Sequence, residues 1–400
     1  GTRVPGLFLM AYEVLARKYR PQTFTEVVGQ SHITHTLGRA IEQERVGHAY
    51  LFVGSRGTGK TTMARIFAKC LNCEKGPTAT PCNSCNHCRE ITAGTSMDVL
   101  EIDGASNNKV EHVREIRENA KFGTNNSLFK IYLIDEVHML TQGAFNALLK
   151  TLEEPPPHVK FLFATTEPQK IPETILSRCQ RFDLRRILAK DITGRLQEIC
   201  DAEQVEVEEA ALLAVARGAR GGMRDALSAM DQLISFRGKS LTEEDVLSVF
   251  GLVSQKHLER MATAIFQHDI SGILEAIAEF DRTGKDLERV LLDLVIHLRH
   301  VLVQAYSPKG GLLDELPDIQ AAVIREQAEW VEPSRVSALM EKLMTASEQL
   351  RYSLSKRTHL ETALISAART AHFATLDEVW AQVERLKTGL PAPDAAEKKK

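Results

Sequence analysis

An α/β domain on a parallel sheet, interrupted by a small cysteine-rich insertion and followed by two all-α units, is the architecture this 400-residue sequence predicts. Three observations carry that expectation. Short apolar runs alternate with helical patterns from Tyr50 to Cys179, strand signals stop after Leu184, and five of the seven cysteines crowd between Cys70 and Cys88.

The expected strands are Ala49–Val53, Val99–Ile102, Phe129–Ile134 and Val159–Ala164. Their continuous apolar character suits a sheet covered on both faces. The helix expected over Thr141–Glu153 gathers Ala144, Phe145, Leu148, Leu149 and Leu152 on one side and ends at Pro155, Pro156 and Pro157, because proline cannot continue it. Beyond Leu184, Gly218, Gly221, Gly222, Gly238 and Gly251 punctuate helical patterns. A further helical unit is expected from Gln255–Phe266, Ile273–Phe280, Asp286–Gln304 and Pro333–Leu350. The expected divisions are upstream residues 1–9 before a start at Met10, the α/β domain over 10–186 with its insertion at about 70–92, a helical unit over 187–251, a second over 252–380, and a disordered tail over 381–400. Pro391, Pro393 and three terminal lysines mark that tail.

A composition of 43% hydrophobic and 26% charged residues, with a mean hydropathy of −0.19, fits globular domains and offers no apolar run of ~18 residues to span a membrane. Fifty basic and 53 acidic residues leave a net charge of −3, so any contact with nucleic acid has to be local or made by an assembly. Residues 1–9 lack the apolar core and cleavage site of a secretion signal, so the cysteines point to metal in the cytoplasm rather than disulfides.

Strand Ala49–Val53 leads straight into Gly54-Ser55-Arg56-Gly57-Thr58-Gly59-Lys60-Thr61, with a helical pattern over Thr62–Leu71. This is G-x-x-x-x-G-K-[ST] in its proper strand-to-helix context. The glycines let backbone N–H groups face phosphate, Lys60 reaches the β/γ oxygens, and the Thr61 hydroxyl suits Mg²⁺, so ATP is the expected ligand, with Thr62 closing the loop. A second apolar strand ends in Asp135-Glu136. Two such acids alone are as often a solvated turn; beside a complete phosphate loop, Asp135 is expected to hold Mg²⁺ and Glu136 to polarise the attacking water.

Cys73-x8-Cys82-x2-Cys85-x2-Cys88 supplies four thiolates, a set that suits tetrahedral Zn²⁺ with no open position and hence a structural role. Gly76, Pro77, Pro81 and Asn83 make the intervening chain loop-like, with little core of its own, so a metal is needed to order it. Cys70 falls in the preceding helix pattern and is expected as a packed thiol. His87 is a minor alternative ligand, while Cys179 and Cys200 read as small buried hydrophobes.

Asp135-Glu136-Val137-His138, Ser177-Arg178-Cys179, Gly222-Met223-Arg224-Asp225-Ala226-Leu227 and the opening Ala11-Tyr12-Glu13-Val14-Leu15-Ala16-Arg17-Lys18-Tyr19-Arg20-Pro21 together resemble the gamma/tau family of bacterial DNA polymerase III clamp-loader subunits, which are AAA+ ATPases. The match runs from Met10 to Leu227 and continues more weakly to about Leu376. The resemblance implies an AAA+ P-loop domain with a zinc module, a helical lid carrying sensor 2, and an all-α collar for oligomerisation. It places Val27 and Val28 beside the adenine, Thr166 at the sensor 1 position against the water or γ-phosphate, and Arg224 on the γ-phosphate of the chain's own ATP. Its Arg178 is expected to act in trans on a neighbour's ATP, since Lys60 and Arg224 already serve this one.

The same resemblance implies a hetero-pentamer with other clamp-loader subunits, a sliding clamp, primed DNA and, for a longer tau-type product, the polymerase core and helicase. It implies membership of the DNA polymerase III complex without polymerisation by this chain. Lys109, Arg114 and Lys150 are the expected DNA contacts, against the plainer reading of a solvated helix face. Intact Lys60, Thr61, Asp135 and Glu136 argue against a subunit that has lost hydrolysis. The cysteine insertion and the want of a basic winged-helix region after Gly251 argue against a branch-migration helicase.

Overall fold

A computed structural model describes residues 12–250, 253–308 and 318–372, together with 380, 383, 384 and 387. The expected start at Met10, the leader before it, Gly251 and the prolines of the tail lie outside the described residues. The chain divides into two compact units, Gly1–Val246 and Leu247–Lys400.

In the first unit β1 (Ala49–Val53), β2 (Val99–Asp103), β3 (Lys130–Asp135), β4 (Val159–Thr165) and β5 (Gln180–Asp183) form a parallel sheet in the order β2-β3-β4-β1-β5. Alternate side chains enter opposite cores, as the period of two along a strand requires. Tyr50, Phe52, Ile131, Leu133 and Leu162 pack with Met63 and Phe67 on one face; Leu51, Val53, Tyr132, Ile134, Phe161 and Phe163 pack with Phe145 and Leu148 on the other. β5 carries no sequence signal. Its Gln-Arg-Phe-Asp run is largely exposed at the sheet edge, and only the parallel register against β1 makes it a strand.

The helix expected after β3 runs Gln142–Glu153, with the Thr141 hydroxyl accepting from the Ala144 N–H as a cap. After β5 the chain continues in helices Ala189–Glu203, Glu209–Ala219 and Met223–Arg237. This segment is not purely helical: Glu206–Val207 and Ser240–Leu241 pair as a two-stranded parallel ladder. Two-residue strands more than thirty residues apart leave no periodicity to read.

The second unit is a helical core in which Met261, Ile265, Ile277, Leu291, Leu294, Leu298, Leu339 and Leu364 are buried. Gln255–Phe266 and Pro333–Leu350 have their expected limits, whereas the others run Ile270–Arg282 and Leu287–Tyr306. Asp318–Ala328 and Lys356–His372 are two further helices without a sequence-based expectation. In the latter the buried residues beyond Leu360 and Leu364 are Ala367, Ala368 and Ala371, which blur its apolar stripe. No helix among the described residues is long and apolar enough to cross a membrane.

Candidate functional site

The carboxyl ends of β1, β3 and β4 converge on one edge of the sheet, and a cavity of about 720 Å³ opens there. Open parallel sheets bind ligands at this edge. Gly57 and Gly59 have φ of 79° and 101°, backbone that suits glycine, and they turn the loop into the helix Lys60–Asn72, whose first residues Lys60, Thr61 and Thr62 line the cavity. Arg56, Gly57, Thr58, Gly59, Lys60, Thr61 and Thr62 line the cavity. Gly54 and Ser55 lie beneath it; the Ser55 carbonyl accepts from Thr58 Oγ1 at 2.8 Å and from Lys60 Nζ at 3.0 Å.

Seven cationic side chains line the cavity against four acids, in a chain of net charge −3. That local excess selects an anion. Lys60 is 6% exposed; burial pulls its ammonium below the usual lysine range while Glu136 and Asp135 hold it up. Arg20 is drawn down to about 10 by burial and by Arg65. Its Nε donates to Thr62 Oγ1 at 3.0 Å, while Arg65 forms a two-pronged pair with Glu101 at 2.7 Å. Arg20, Arg65 and Glu101 are cavity residues that the sequence does not single out. Arg20 sits in the opening segment that carries the family resemblance, and Glu101 is a charge inside an apolar strand, so both leave a faint signal.

Thr61 Oγ1 donates to Asp135 Oδ2 at 2.7 Å, which brings the ends of β1 and β3 together at the place a divalent cation needs. Glu136 has φ of 46°, a left-handed backbone that costs a non-glycine residue about 1 kcal/mol or more. Its Oε2 accepts from the Thr166 N–H at 3.3 Å and the Thr166 hydroxyl at 3.1 Å. Thr166 thus reaches the site through Glu136 and does not line the cavity, where a direct contact to water or γ-phosphate was expected. His138 folds back on the same carboxylate: Nδ1 lies 3.0 Å from Thr165 Oγ1 and 3.4 Å from Glu136, and Nε2 lies 3.4 Å from Glu167.

Val27, Val28, Met223, Arg224 and Leu227 close the cavity. Arg224 stands in the first turn of Met223–Arg237, where a cation meets the positive end of the helix and needs an anion to hold it. Arg178 is outside the cavity. It donates to Glu153 at 2.8 Å and to the Thr174 carbonyl at 2.8 Å; Glu173 and Asp183, carboxylates nearer to it in sequence, are not its partners. Asp183 binds Arg181 instead. Lys109, Arg114 and Lys150 are exposed and line no part of the cavity.

The structure brings Cys73, Cys82, Cys85 and Cys88 together, their sulfurs all within 4.8 Å of one another. Zinc–sulfur bonds of ~2.3 Å in a tetrahedron require separations of roughly 3.8 Å, so the donor set fits one Zn²⁺ after a small contraction. Three backbone N–H groups already point at three of the sulfurs: Cys82 to Cys73 Sγ at 3.4 Å, Cys85 to Cys82 Sγ at 3.3 Å and Cys88 to Cys85 Sγ at 3.4 Å. The Ser84 hydroxyl and N–H, with the Cys85 N–H, draw the Cys82 thiol down to about 5, whereas burial pushes Cys88 up. Cys70 stays apart, its thiol donating to the Ala79 carbonyl and raised to about 12 by burial. His87 is not in the cluster.

Phosphate loop, paired acids at the next strand end and a helical lid on a β2-β3-β4-β1-β5 sheet define a P-loop AAA+ ATPase. Such an ATPase uses ATP and Mg²⁺. Residues 29–187 match the family model "DNA polymerase III, delta subunit", 191–239 "DNA polymerase III clamp loader subunit, ATPase lid domain" and 241–383 "DNA polymerase III subunits gamma and tau domain III". The chain is 44% identical to DNA polymerase III subunit tau of Bacillus subtilis over 98% of its own length and 71% of that protein's. It is 41% identical to the tau subunit of Escherichia coli, spanning about half of that longer protein (55%), and 37% identical to the gamma subunit of Buchnera aphidicola over 98% of the latter. The chain belongs to the gamma/tau family of DNA polymerase III clamp-loader subunits. Its fold also resembles the RuvB branch migration motor of Thermotoga maritima, loosely, at 19% identity and a TM-score of 0.45 over 69% of this chain and 91% of that one.

Proposed function

We propose that this chain is an ATP-driven motor that, with other clamp-loader subunits in a hetero-pentamer, loads a sliding clamp onto primed DNA in the cytoplasm. The observation that carries the proposal is the 2.7 Å hydrogen bond between Thr61 and Asp135, which pre-forms the metal side of a hydrolytic site beside Lys60 and Glu136. Mg²⁺ held by Thr61 and Asp135 would offset the charge that develops on the phosphates. Lys60 clamps the β/γ oxygens, the loop N–H groups from Gly54 to Thr61 cradle the phosphates, and Val27 and Val28 face the base. Glu136 orients the attacking water, with Thr166 fixing its carboxylate, and Arg224 compensates charge on the γ-phosphate. Arg178 is the residue offered to a neighbouring subunit's nucleotide. Zn²⁺ on Cys73, Cys82, Cys85 and Cys88 has a structural role. Lys109, Arg114 and Lys150 contact DNA phosphates, and a longer tau-type product would add contacts to the polymerase core and helicase.

The test is clamp loading onto primed DNA by the assembled complex, with two variants. Lys60→Ala is expected to abolish ATP binding, whereas Glu136→Gln keeps binding and stops turnover. ATP affinity in Lys60→Ala equal to that of the wild type would refute the assignment.

A further inference from the structure

Lys69 is a lysine with 2% exposure at the far end of the phosphate-loop helix, yet it pairs with no carboxylate among the described residues. Its ammonium donates instead to two amide oxygens, Asn83 Oδ1 at 2.8 Å and Gln22 Oε1 at 2.7 Å. A buried ammonium is retained only where its hydrogen bonds are met, so it holds both acceptors, and Gln22 Oε1 accepts as well from the Thr92 hydroxyl at 3.2 Å. They belong to different parts of the domain. Asn83 sits in the cysteine loop, between Cys82 and Cys85, with a left-handed φ of 54°. Gln22 sits in the segment that walls the nucleotide cavity, and its own Nε2 donates to the Arg20 carbonyl at 2.9 Å while its N–H donates to Glu26 at 2.7 Å. Arg20, Pro21, Glu26, Val27 and Val28 line the cavity; Gln22 does not.

We propose that the cysteine module governs nucleotide affinity: the metal orders Asn83, Asn83 and Gln22 share the Lys69 ammonium, and Gln22 thereby sets the cavity wall from Arg20 to Val28. Lys69 and Gln22 are positioning residues, remote from the reacting atoms. The inference rests on this cavity being the nucleotide site and on the cysteines holding Zn²⁺. The direction of the effect follows from the proposed placement of the base against Val27 and Val28, with the phosphates at the loop; Arg20 of the wall also donates to Thr62 at 3.0 Å. Loosening Asn83 or Gln22 therefore weakens nucleotides more than a bare polyphosphate.

The experiment measures binding of ADP and of inorganic tripolyphosphate to the full chain, with bound metal and after chelation, for the wild type, Gln22→Leu and Asn83→Gly. Glycine tolerates the left-handed backbone at 83, and both variants keep all four cysteines, with metal content measured directly. Chelation is expected to weaken ADP about tenfold in the wild type, the scale of one lost hydrogen bond to a charged group. Gln22→Leu should show a similar loss with its metal in place. In Gln22→Leu chelation should then add less than about threefold, because the link is already cut, whereas Asn83→Gly keeps the Thr92 hydroxyl on Gln22 Oε1 at 3.2 Å and should lose only part of the metal dependence. Tripolyphosphate binding should fall less than ADP binding in every arm. Equal losses on chelation in wild type and Gln22→Leu, or wild-type ADP affinity in Gln22→Leu, would overturn the proposal. Failure of the underlying readings shows separately: an unaffected Lys60→Ala would displace the nucleotide from this cavity, and a metal-free wild type would remove the zinc while the Gln22→Leu arm still decides the link.

Discussion

Substituting Arg178 by alanine distinguishes a side chain tied up within its own subunit from one available to a neighbour. The guanidinium lies 2.8 Å from Glu153, but the two side chains are 33% and 50% exposed. An ion pair that wet is worth ~0–1 kcal/mol, so leaving Glu153 costs at most about a fivefold factor. An arginine presented to a transferring phosphoryl group contributes ~10³ to 10⁵ in rate, equivalent to roughly 4–7 kcal/mol. For Arg178 in the proposed trans role, the gain in rate exceeds the cost of leaving Glu153. In the reconstituted loader, Arg178→Ala should lose about a thousandfold or more of clamp- and DNA-stimulated ATP turnover. Nucleotide affinity of the lone chain should stay within about twofold, because the residue lies outside the cavity. Glu153→Ala is the control, with turnover expected within about fivefold of wild type. Lost nucleotide binding by the lone Arg178→Ala chain, or undiminished stimulated turnover, would refute the reasoning.

Cys82→Ser should lower the bound zinc from one ion per chain as measured by metal analysis, without touching Lys60 or Glu136; a zinc-free wild type would end that assignment. Removing Lys109 and Arg114 together should weaken DNA binding by the complex and reduce its salt slope by about one per lost phosphate contact, and an unchanged slope returns both to a solvated surface. Asp98, 3% exposed, is pushed up by burial, but N–H groups of Asn125, Asn126 and Ser127 and the Ser127 hydroxyl outweigh this and hold it below the usual range. A depressed folded-state value gives stability that is present above the unfolded pKa of ~3.9 and lost as pH falls through the folded one. The denaturation midpoints of wild type and Asp98→Asn should accordingly converge below about pH 4; a gap that stays constant down to pH 3 would deny Asp98 that part.

Sequence legibility followed how local each determinant is. β1 and the phosphate loop are contiguous, so Ala49–Val53 and Gly54–Thr61 could be read directly. The four cysteines sit within sixteen positions and declare themselves by spacing. β5 has no apolar pattern and exists because β1 offers it hydrogen-bonding partners, which no local window records. The cis partner of Arg178 lies 25 residues away across the end of a helix, where charge alone could not single out Glu153 from nearer acids. Gln22, Lys69 and Asn83 are ordinary polar residues in sequence, and only burial makes their meeting consequential. Thr166 was legible as a position but not in its partner, since its hydroxyl is spent on Glu136.

Gly57 of the phosphate loop and Gly222 at the head of Met223–Arg237 pass so closely that a methyl group on Gly57 would sit 3.0 Å from the Gly222 Cα, and one on Gly222 would sit 3.1 Å from the Arg56 carbonyl. Both contacts are backbone, which cannot rotate away. The Asp225 carboxylate shares the contact, 2.8 Å from a methyl group on Gly222 and 3.1 Å from one on Gly57, so backbone and one short acid fill the space between the two segments. Any swing of the helix Met223–Arg237 has to turn about this point or separate it, and Gly222→Ala would wedge it open, because the Arg56 group it meets is a backbone carbonyl.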